Sequence, residues 1–573
     1  MRRRPLVDSE ARMLRNVSIA LVTLWIYVGC AALACWLTGA RFPGMMRLHQ
    51  IVGLPPLTLA VSLVIFLIIM GAIVWLWLRV STRTDSKGGE HDAFKDMRKK
   101  AATAKAKRIL SDALLGEASG ARDEMLVRLI GSLRGKKLYA QQEDSELVVS
   151  QTRGGKTRSI VARRVIEAPG AVVATSTKAD GVYLTWRARQ VSAPGSNIFS
   201  FDPLCVATGP TRVRWNPIAG CADFDVARRR GAALALGSTK AMGEGNSRWF
   251  AERGAQILGY LFHAAALGDR TIADIQAWVS DPREAVAILE RAKGPTTVRM
   301  AGALNDLMVK MAPETAAGFI GTIQGALEPL MIPAVHEMLT PSVEDSFDVE
   351  AFISSHDTLW VLSPDSEGAL AAITTMFVND IYEVARAMSA RKPGGRHVPA
   401  ISFVLDEAAN IAPLPNLGAM FSEGAGRGLF MCAIFQDIHQ MEARWGAIQA
   451  KTIFQQARLT YIMGSSKDPE WNEQIATLSR EFEAQRSSVS TSNQGRSVST
   501  HTEHRHALRA SDIQNIAVGH AVLLAPGHEA TMIDLPDIAE DRDWGPLVKE
   551  GTVMYNEHLR AGVDDDEWMT VSC

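Results

Sequence analysis

Ser150-Gln-Thr-Arg-Gly-Gly-Lys-Thr157 sets two glycines beside an amine and a hydroxyl. The stretch follows the apolar run Leu147-Val-Val149 and precedes a helix-compatible run, Ile160 to Ile166. Strand, glycine turn, Lys-Thr, helix is a layout that cradles phosphate. Small residues let backbone N–H groups gather round phosphate oxygens, and the next helix points its positive end at them. In this reading Thr152, Arg153, Gly154, Gly155, Lys156, Thr157 and Arg158 form the nucleotide cradle. Lys156 reaches the β- and γ-phosphates, and the Thr157 hydroxyl ligates Mg²⁺. The usual opening glycine of such a loop is Ser150 here, and Gly-Gly-Lys-Thr also suits an ordinary turn.

Ile401-Ser-Phe-Val-Leu405 is a second β-favouring run, and it ends in Asp406-Glu407. A buried strand that delivers two carboxylates at its end matches the Walker B arrangement. Asp406 would then hold the Mg²⁺ shell, and Glu407 would orient and deprotonate the attacking water. Acids at a helix N-terminus are the alternative. The two elements together point to hydrolysis of a nucleotide, with ATP and Mg²⁺ as the ligands.

The elements that must position these groups occupy a chain of 573 residues with formal charge −1. That length leaves room for two to four domains. A near-zero charge excludes a global basic field, so any nucleic-acid surface is local. The six cysteines are scattered without C-x-x-C, which suits a reducing compartment and neither a zinc site nor a disulfide framework.

Residues 17–37 and 57–78 are uncharged and long enough to cross a bilayer as helices. Trp25, Trp36, Trp75 and Trp77 suit the interfaces. Arginines crowd the segment before the first span, and basic residues follow the second, with Lys95 to Arg108 the densest run. The positive-inside rule places both ends and everything after about residue 80 in the cytoplasm, so a multi-pass inner-membrane location is expected.

Six segments are expected: a membrane anchor over 1–80, a basic helical linker over 81–135, the first part of a nucleotide-binding domain over 136–224, an all-α insertion over 225–350, the second part over 351–533, and an acidic tail over 534–573. Strands are expected at 147–150, 171–176, 197–202, 358–362, 400–405, 429–435, 459–463 and, last, 520–524. Strands alternating with helices imply α/β with a parallel sheet. Residues 486–504 are rich in Ser and Thr and read as a loop.

Val404-Leu-Asp-Glu-Ala-Ala-Asn-Ile-Ala-Pro-Leu-Pro-Asn-Leu417 and the segment Gly424 to Gly446 carry a more specific signal. With two N-terminal spans, a phosphate loop, Phe201-Asp-Pro and Trp215-Asn-Pro217, they resemble the type IV secretion coupling proteins of the TraG/TraD group. The resemblance covers most of residues 1–530. It implies a RecA-like P-loop NTPase domain of α/β fold with an inserted all-α domain, preceded by two transmembrane helices. It further implies a homo-hexameric ATPase that carries relaxase-bound single-stranded DNA to the channel components of a secretion system. Gln436, at the end of a strand, would sense the γ-phosphate. The family's Gly-Arg-x-x-Gly becomes Gly424-Ala-Gly-Arg-Gly428, so Arg427 stands in for the arginine that reaches a neighbouring subunit. Two other readings are an adapter that binds nucleotide weakly and selects substrates, and an FtsK-type double-stranded DNA translocase.

Overall fold

The computed structural model describes residues 27–42, 54–84, 94–110, 125–238, 246–364, 370–464, 466–492 and 495–564. Over 71–84, 246–248, 483–492, 495–504 and 562–564 it gives the backbone path alone. Two compact units emerge, Met1–Phe94 and Lys95–Cys573.

In the first unit, a helix over 27–38 packs antiparallel to the helix Pro56–Thr84. Tyr27 meets Phe66 edge to face, with ring centroids 5.5 Å apart, and Thr38 Oγ1 lies 2.9 Å from Thr58 Oγ1. The second expected span falls within Pro56–Thr84, whose side chains are described as far as Met70. Residues 17–26 of the first lie outside the described residues. Among the described residues no helix is long and apolar enough to cross a membrane.

The second unit is built on one twelve-stranded sheet. Its strands are β1 (Val127–Leu133), β2 (Lys136–Gln141), β3 (Glu146–Ser150), β4 (Val172–Ser176), β5 (Ile198–Phe201), β6 (Thr211–Arg212), β7 (Thr358–Leu362), β8 (Ile401–Leu405), β9 (Leu429–Phe435) and β10 (Leu459–Met463). After a separate ribbon of β11 (Glu481–Ser492) and β12 (Gly495–His506), β13 (His520–Leu524) and β14 (Thr531–Asp534) complete it. The spatial order is β2-β1-β14-β13-β10-β3-β9-β8-β4-β7-β5-β6. From β10 to β6 all neighbours run parallel, and the four strands beyond β10 are antiparallel. Strands β3, β4, β7, β8, β9 and β10 are buried at every residue. Apolar runs such as Leu429-Phe-Met-Cys-Ala-Ile-Phe435 suit strands covered on both faces.

Between β6 and β7 the described residues form helices only, from Phe224–Ser238 to Val349–Ile353. A buried ion pair fastens this helical segment to the body. Arg230 on Phe224–Ser238 donates to both carboxylate oxygens of Asp380, at 2.8 Å each, and its guanidinium stacks 5.1 Å from the Trp215 ring.

Several expectations need correction. The segment 81–135 is not wholly a linker, because Val127–Leu133 is a strand of the sheet; the basic run before it hides its short alternating pattern. Residues 486–492 and 495–504 lie in the β11–β12 ribbon rather than a loop, since Ser, Thr and Val tolerate an extended chain without an apolar face; 493–494 lie outside the described residues. The sheet continues past 524 with β14. The region after 534 is not simply a solvated tail. It contains the helix Gly545–Asp564, which buries Val548 with Ala162, Ile166, Leu184 and Ala188. Its acidic end, 565–573, lies outside the described residues.

Candidate nucleotide site

Strand order creates the site. The chain leaves β3 toward β4 on one side, and leaves β9 toward β10 on the other. In an open parallel sheet, ligands bind at the C-terminal ends of strands where such connections diverge. Ser150 ends β3, Asp406 and Glu407 follow β8, and Gln436 follows β9, which lies between them.

The loop after β3 has the conformation its glycines permit. Arg153 has φ 66° and Gly155 has φ 83°, both left-handed. A Cβ at Gly154 would lie 2.5 Å from Ser150 Oγ and 3.0 Å from the Gln151 carbonyl oxygen, so this position must stay bare. The fully buried Ser150 hydroxyl thus fills the loop's interior where the usual pattern has glycine. The helix begins at Lys156, with a π-turn over Thr157–Val161 before Ala162–Ile166. It therefore starts four residues earlier than the apolar pattern implies.

Lys156 joins the two acids. Its Nζ lies 2.5 Å from Glu407 Oε1 and 3.0 Å from Asp406 Oδ1. Gln436 Nε2 donates to both oxygens of Glu407, at 3.1 and 3.0 Å. Glu407 sits at φ 52°, a costly conformation for a residue with a Cβ. The turn is held by Thr175 Oγ1, which donates to the Asp406 carbonyl at 2.6 Å, and by Asp406 Oδ1, which accepts from the Glu407 N–H at 3.1 Å. Thr175 escaped the sequence reading; its signal is the hydroxyl pair Thr175-Ser176 that ends an otherwise apolar strand.

Burial opposes the Lys156 charge, but the carboxylates of Asp406 and Glu407 outweigh it and hold the ammonium pKa above its ordinary value. Burial pushes Asp406 up; Lys156 pulls it back in part, and Glu407 adds repulsion. The Asp406 carboxylate and the Thr157 hydroxyl are oxygen donors of the hard kind that Mg²⁺ takes, so the residues present fit that ion.

Two expected site residues lie elsewhere or are engaged. Arg158 Nε bonds Asp537 Oδ2 at 2.6 Å. Arg427 ends the helix Leu417–Arg427, just before β9, at the opposite end of that strand from Gln436. Seven residues of strand separate them by roughly 20 Å, so Arg427 does not join Lys156 within one chain. Gly428 fixes that corner: its φ is 71°, and a Cβ there would meet the His397 carbonyl. Thr152 and Arg153 are exposed at the loop's rim.

The buried anchor of the loop also went unforeseen. Glu146, fully buried at the start of β3, accepts from Arg128 Nε (3.0 Å) and Arg164 Nε (2.7 Å), with Tyr461 Oη at 3.1 Å. Arg164 belongs to the helix that follows the phosphate loop. Arg128 also lies over the Phe430 ring at 4.1 Å.

The family described as type IV secretory system conjugative DNA transfer matches residues 90–531. No curated protein matches the chain. Among solved structures, the bacterial conjugative coupling protein TrwBΔN70, in an unbound form, is 15% identical with a TM-score of 0.51; the match covers 71% of this chain and 88% of that one. TrwB with the GTP analogue GDPNP has a TM-score of 0.50 at 15% identity, covering 68% of this chain and 85% of that one. TrwB with ADP and Mg²⁺ gives 0.50 at 15% identity, covering 69% and 85%. These likenesses establish a shared α/β fold. The family match spans most of the sequence, and the chain belongs to the conjugative DNA-transfer family of type IV secretion systems.

Proposed function

We propose that the protein is a membrane-anchored, ATP-driven coupling protein that recruits relaxase-bound single-stranded DNA and delivers it to a type IV secretion channel. The observation that carries this reading is the meeting of Lys156 with Asp406 and Glu407, the latter 251 residues away in sequence. TrwB was solved with ADP and Mg²⁺ and with a non-hydrolysable GTP analogue, which supports ATP and Mg²⁺ as ligands here.

Phosphoryl transfer to water needs positioning and charge neutralisation more than covalent chemistry. Lys156 would exchange its carboxylate partners for phosphate oxygens. Backbone N–H groups of the loop from Arg153 to Thr157 would hold the remaining oxygens. The Thr157 hydroxyl and Asp406 would hold Mg²⁺, which supplies Lewis-acid neutralisation of the phosphates when bound. Glu407 would take a proton from the attacking water, with Gln436 fixing the carboxylate's direction. Arg427, remote from its own site, would serve the site of a neighbouring copy in a homo-hexamer. Spans near 17–37 and 57–78 would anchor the ring in the inner membrane, with both termini and the ATPase cytoplasmic. Relaxosome proteins and channel components are the partners this role requires.

The test is ATP turnover by the full chain in detergent, with and without single-stranded DNA. Stimulation by DNA is expected. Lys156→Ala should abolish turnover, and Glu407→Gln should retain bound ATP without hydrolysing it. Undiminished hydrolysis in both variants would refute the site. The Ser150 hydroxyl within the loop favours a second reading, a slow nucleotide-dependent receptor; assembly on ATP without turnover would mark it.

A further inference from the structure

Between β10 and β13 the chain leaves the sheet and returns to it at the phosphate loop. On the way out, Gly464 follows β10 with φ 72°, and a Cβ there would lie 3.7 Å from Gly154 Cα. On the way back, Val518 Cγ1 stands 3.1 Å from where a Cβ on Gly155 would sit. The excursion comprises the helix Pro469–Thr477, the β11–β12 ribbon and the helix Ala510–Gln514. Its root is firm. The Ala507 N–H donates to the Arg480 carbonyl at 2.7 Å, the Leu508 N–H donates to Ser479 Oγ at 3.0 Å, and Ile475, Ile513 and Ile516 are buried with Ile462 of β10.

Among the described residues the ribbon pairs only with itself, from Glu481 opposite His506 to Ser492 opposite Gly495. Its twelve-residue strands extend roughly 40 Å. A lone two-stranded ribbon is marginal in water. Val489 opposite Val498 is its single apolar cross-strand pair, so no core of its own supports it. Its strand edges also lack the Lys, Glu or Pro that usually blocks edge pairing in the distal half. Both points call for something that covers the ribbon.

The residue types say what would cover it. Residues 484–502 hold nine Ser or Thr hydroxyls, two arginines and a histidine, with no Asp or Glu. The ribbon's acids, Glu481, Glu483 and Glu503, fall at its root end. Strand alternation places Arg486, opposite His501, on one face and Arg496, opposite Thr491, on the other. Hydroxyls and guanidinium groups donate to phosphate oxygens and read no base sequence. We propose that the distal ribbon holds the sugar–phosphate backbone of single-stranded DNA and relays its occupancy to the phosphate loop through Gly464 and Val518. The inference rests on the functional reading above and names the surface on which that DNA partner sits.

The experiment measures binding of a labelled oligothymidine to the full chain in detergent across a salt series, alongside basal and DNA-stimulated ATP turnover. The double variant Arg486→Ala/Arg496→Ala should bind about tenfold or more weakly at low salt. Its slope of log affinity against log salt should shrink by about 1.4 per ribbon, at about 0.7 for each phosphate that is no longer neutralised. Stimulation should vanish while basal turnover and thermal stability stay unchanged. Arg486→Lys/Arg496→Lys should keep most of the slope. An alanine variant with wild-type affinity, slope and stimulation overturns the ribbon assignment and leaves the ATPase reading standing. A wild-type chain that hydrolyses ATP but binds no oligothymidine overturns the ribbon and the DNA role together. Intact DNA affinity with impaired self-association makes the ribbon an interface between copies, which also overturns the proposal.

Discussion

Glu407 is grasped from two sides, by the Lys156 ammonium and by the Gln436 amide nitrogen, which donates to both carboxylate oxygens. A carboxylate held this way has a fixed direction before substrate arrives, which suits the base proposed above. Gln436→Ala should therefore lower turnover by about tenfold while leaving nucleotide affinity near wild type, measured by titration with a fluorescent ATP analogue. A second residue offers a pH readout. Burial raises the Glu143 carboxyl to about 7 from an ordinary 4.5, against the pull of Arg396 at 3.0 Å. Its folded-state pKa is raised, so its folded form holds the proton more tightly. It therefore stabilises the fold most below about 4.5, and that contribution declines as pH rises to about 7. Glu143→Gln should lose less stability than wild type between pH 5 and pH 8, by up to about 3 kcal/mol, in denaturant titrations at the two pH values. Asp406 and Glu407 were legible in the sequence because they close an apolar run, and a buried parallel strand delivers whatever follows it; Lys156 was legible through the glycine loop that follows another such run, and Gln436 through the family resemblance alone. Glu143 and Glu146 were not, since a charge in the turn before a strand or at its first residue reads as solvated until its arginine partners come in from other segments.

Elements are tied to the site by buried charge. The helix after the phosphate loop is bound to the sheet through Arg164 and Glu146, and Arg128 completes the cluster. Replacing one member leaves the others buried and unpaired, which costs more than the pair itself contributes. Glu146→Ala should destabilise the second unit by about 3–5 kcal/mol, read as a shift of the chemical denaturation midpoint. It should also weaken nucleotide binding, because the loop loses its fixed base. The elements themselves were legible where apolar periodicity was strong: β7, β9, β10 and β13 form at the bounds their sequences imply. The ribbon was not, because its residues carry no inward face for a pattern to reveal. The Ile438 to Gln456 segment divides at Gly446, φ 80°, into two helices.

At the scale of the molecule, a single sheet carries both the candidate site and the segments that would report to it. The region beyond the family match is woven into it. Strand β14 lies between β1 and β13, and Asp537 and Asp541 pair with Arg158 and Arg163 of the helix that begins at Lys156. The helix Gly545–Asp564 crosses Asp180–Ser192 so closely that a Cβ on Gly551 would strike the Tyr183 carbonyl oxygen at 2.1 Å. Gly551→Leu should pry the two helices apart, with faster amide exchange over both as the measure. Trimming the protein to its family-matched residues carries a heavier penalty. It would open hydrogen-bonding edges on β13 and β1, uncover Ala162, Leu184 and Ala188, and release the arginines beside the phosphate loop. Such a fragment should clump during purification, visible by light scattering, so weak activity measured on it would report the missing strap rather than a sluggish motor.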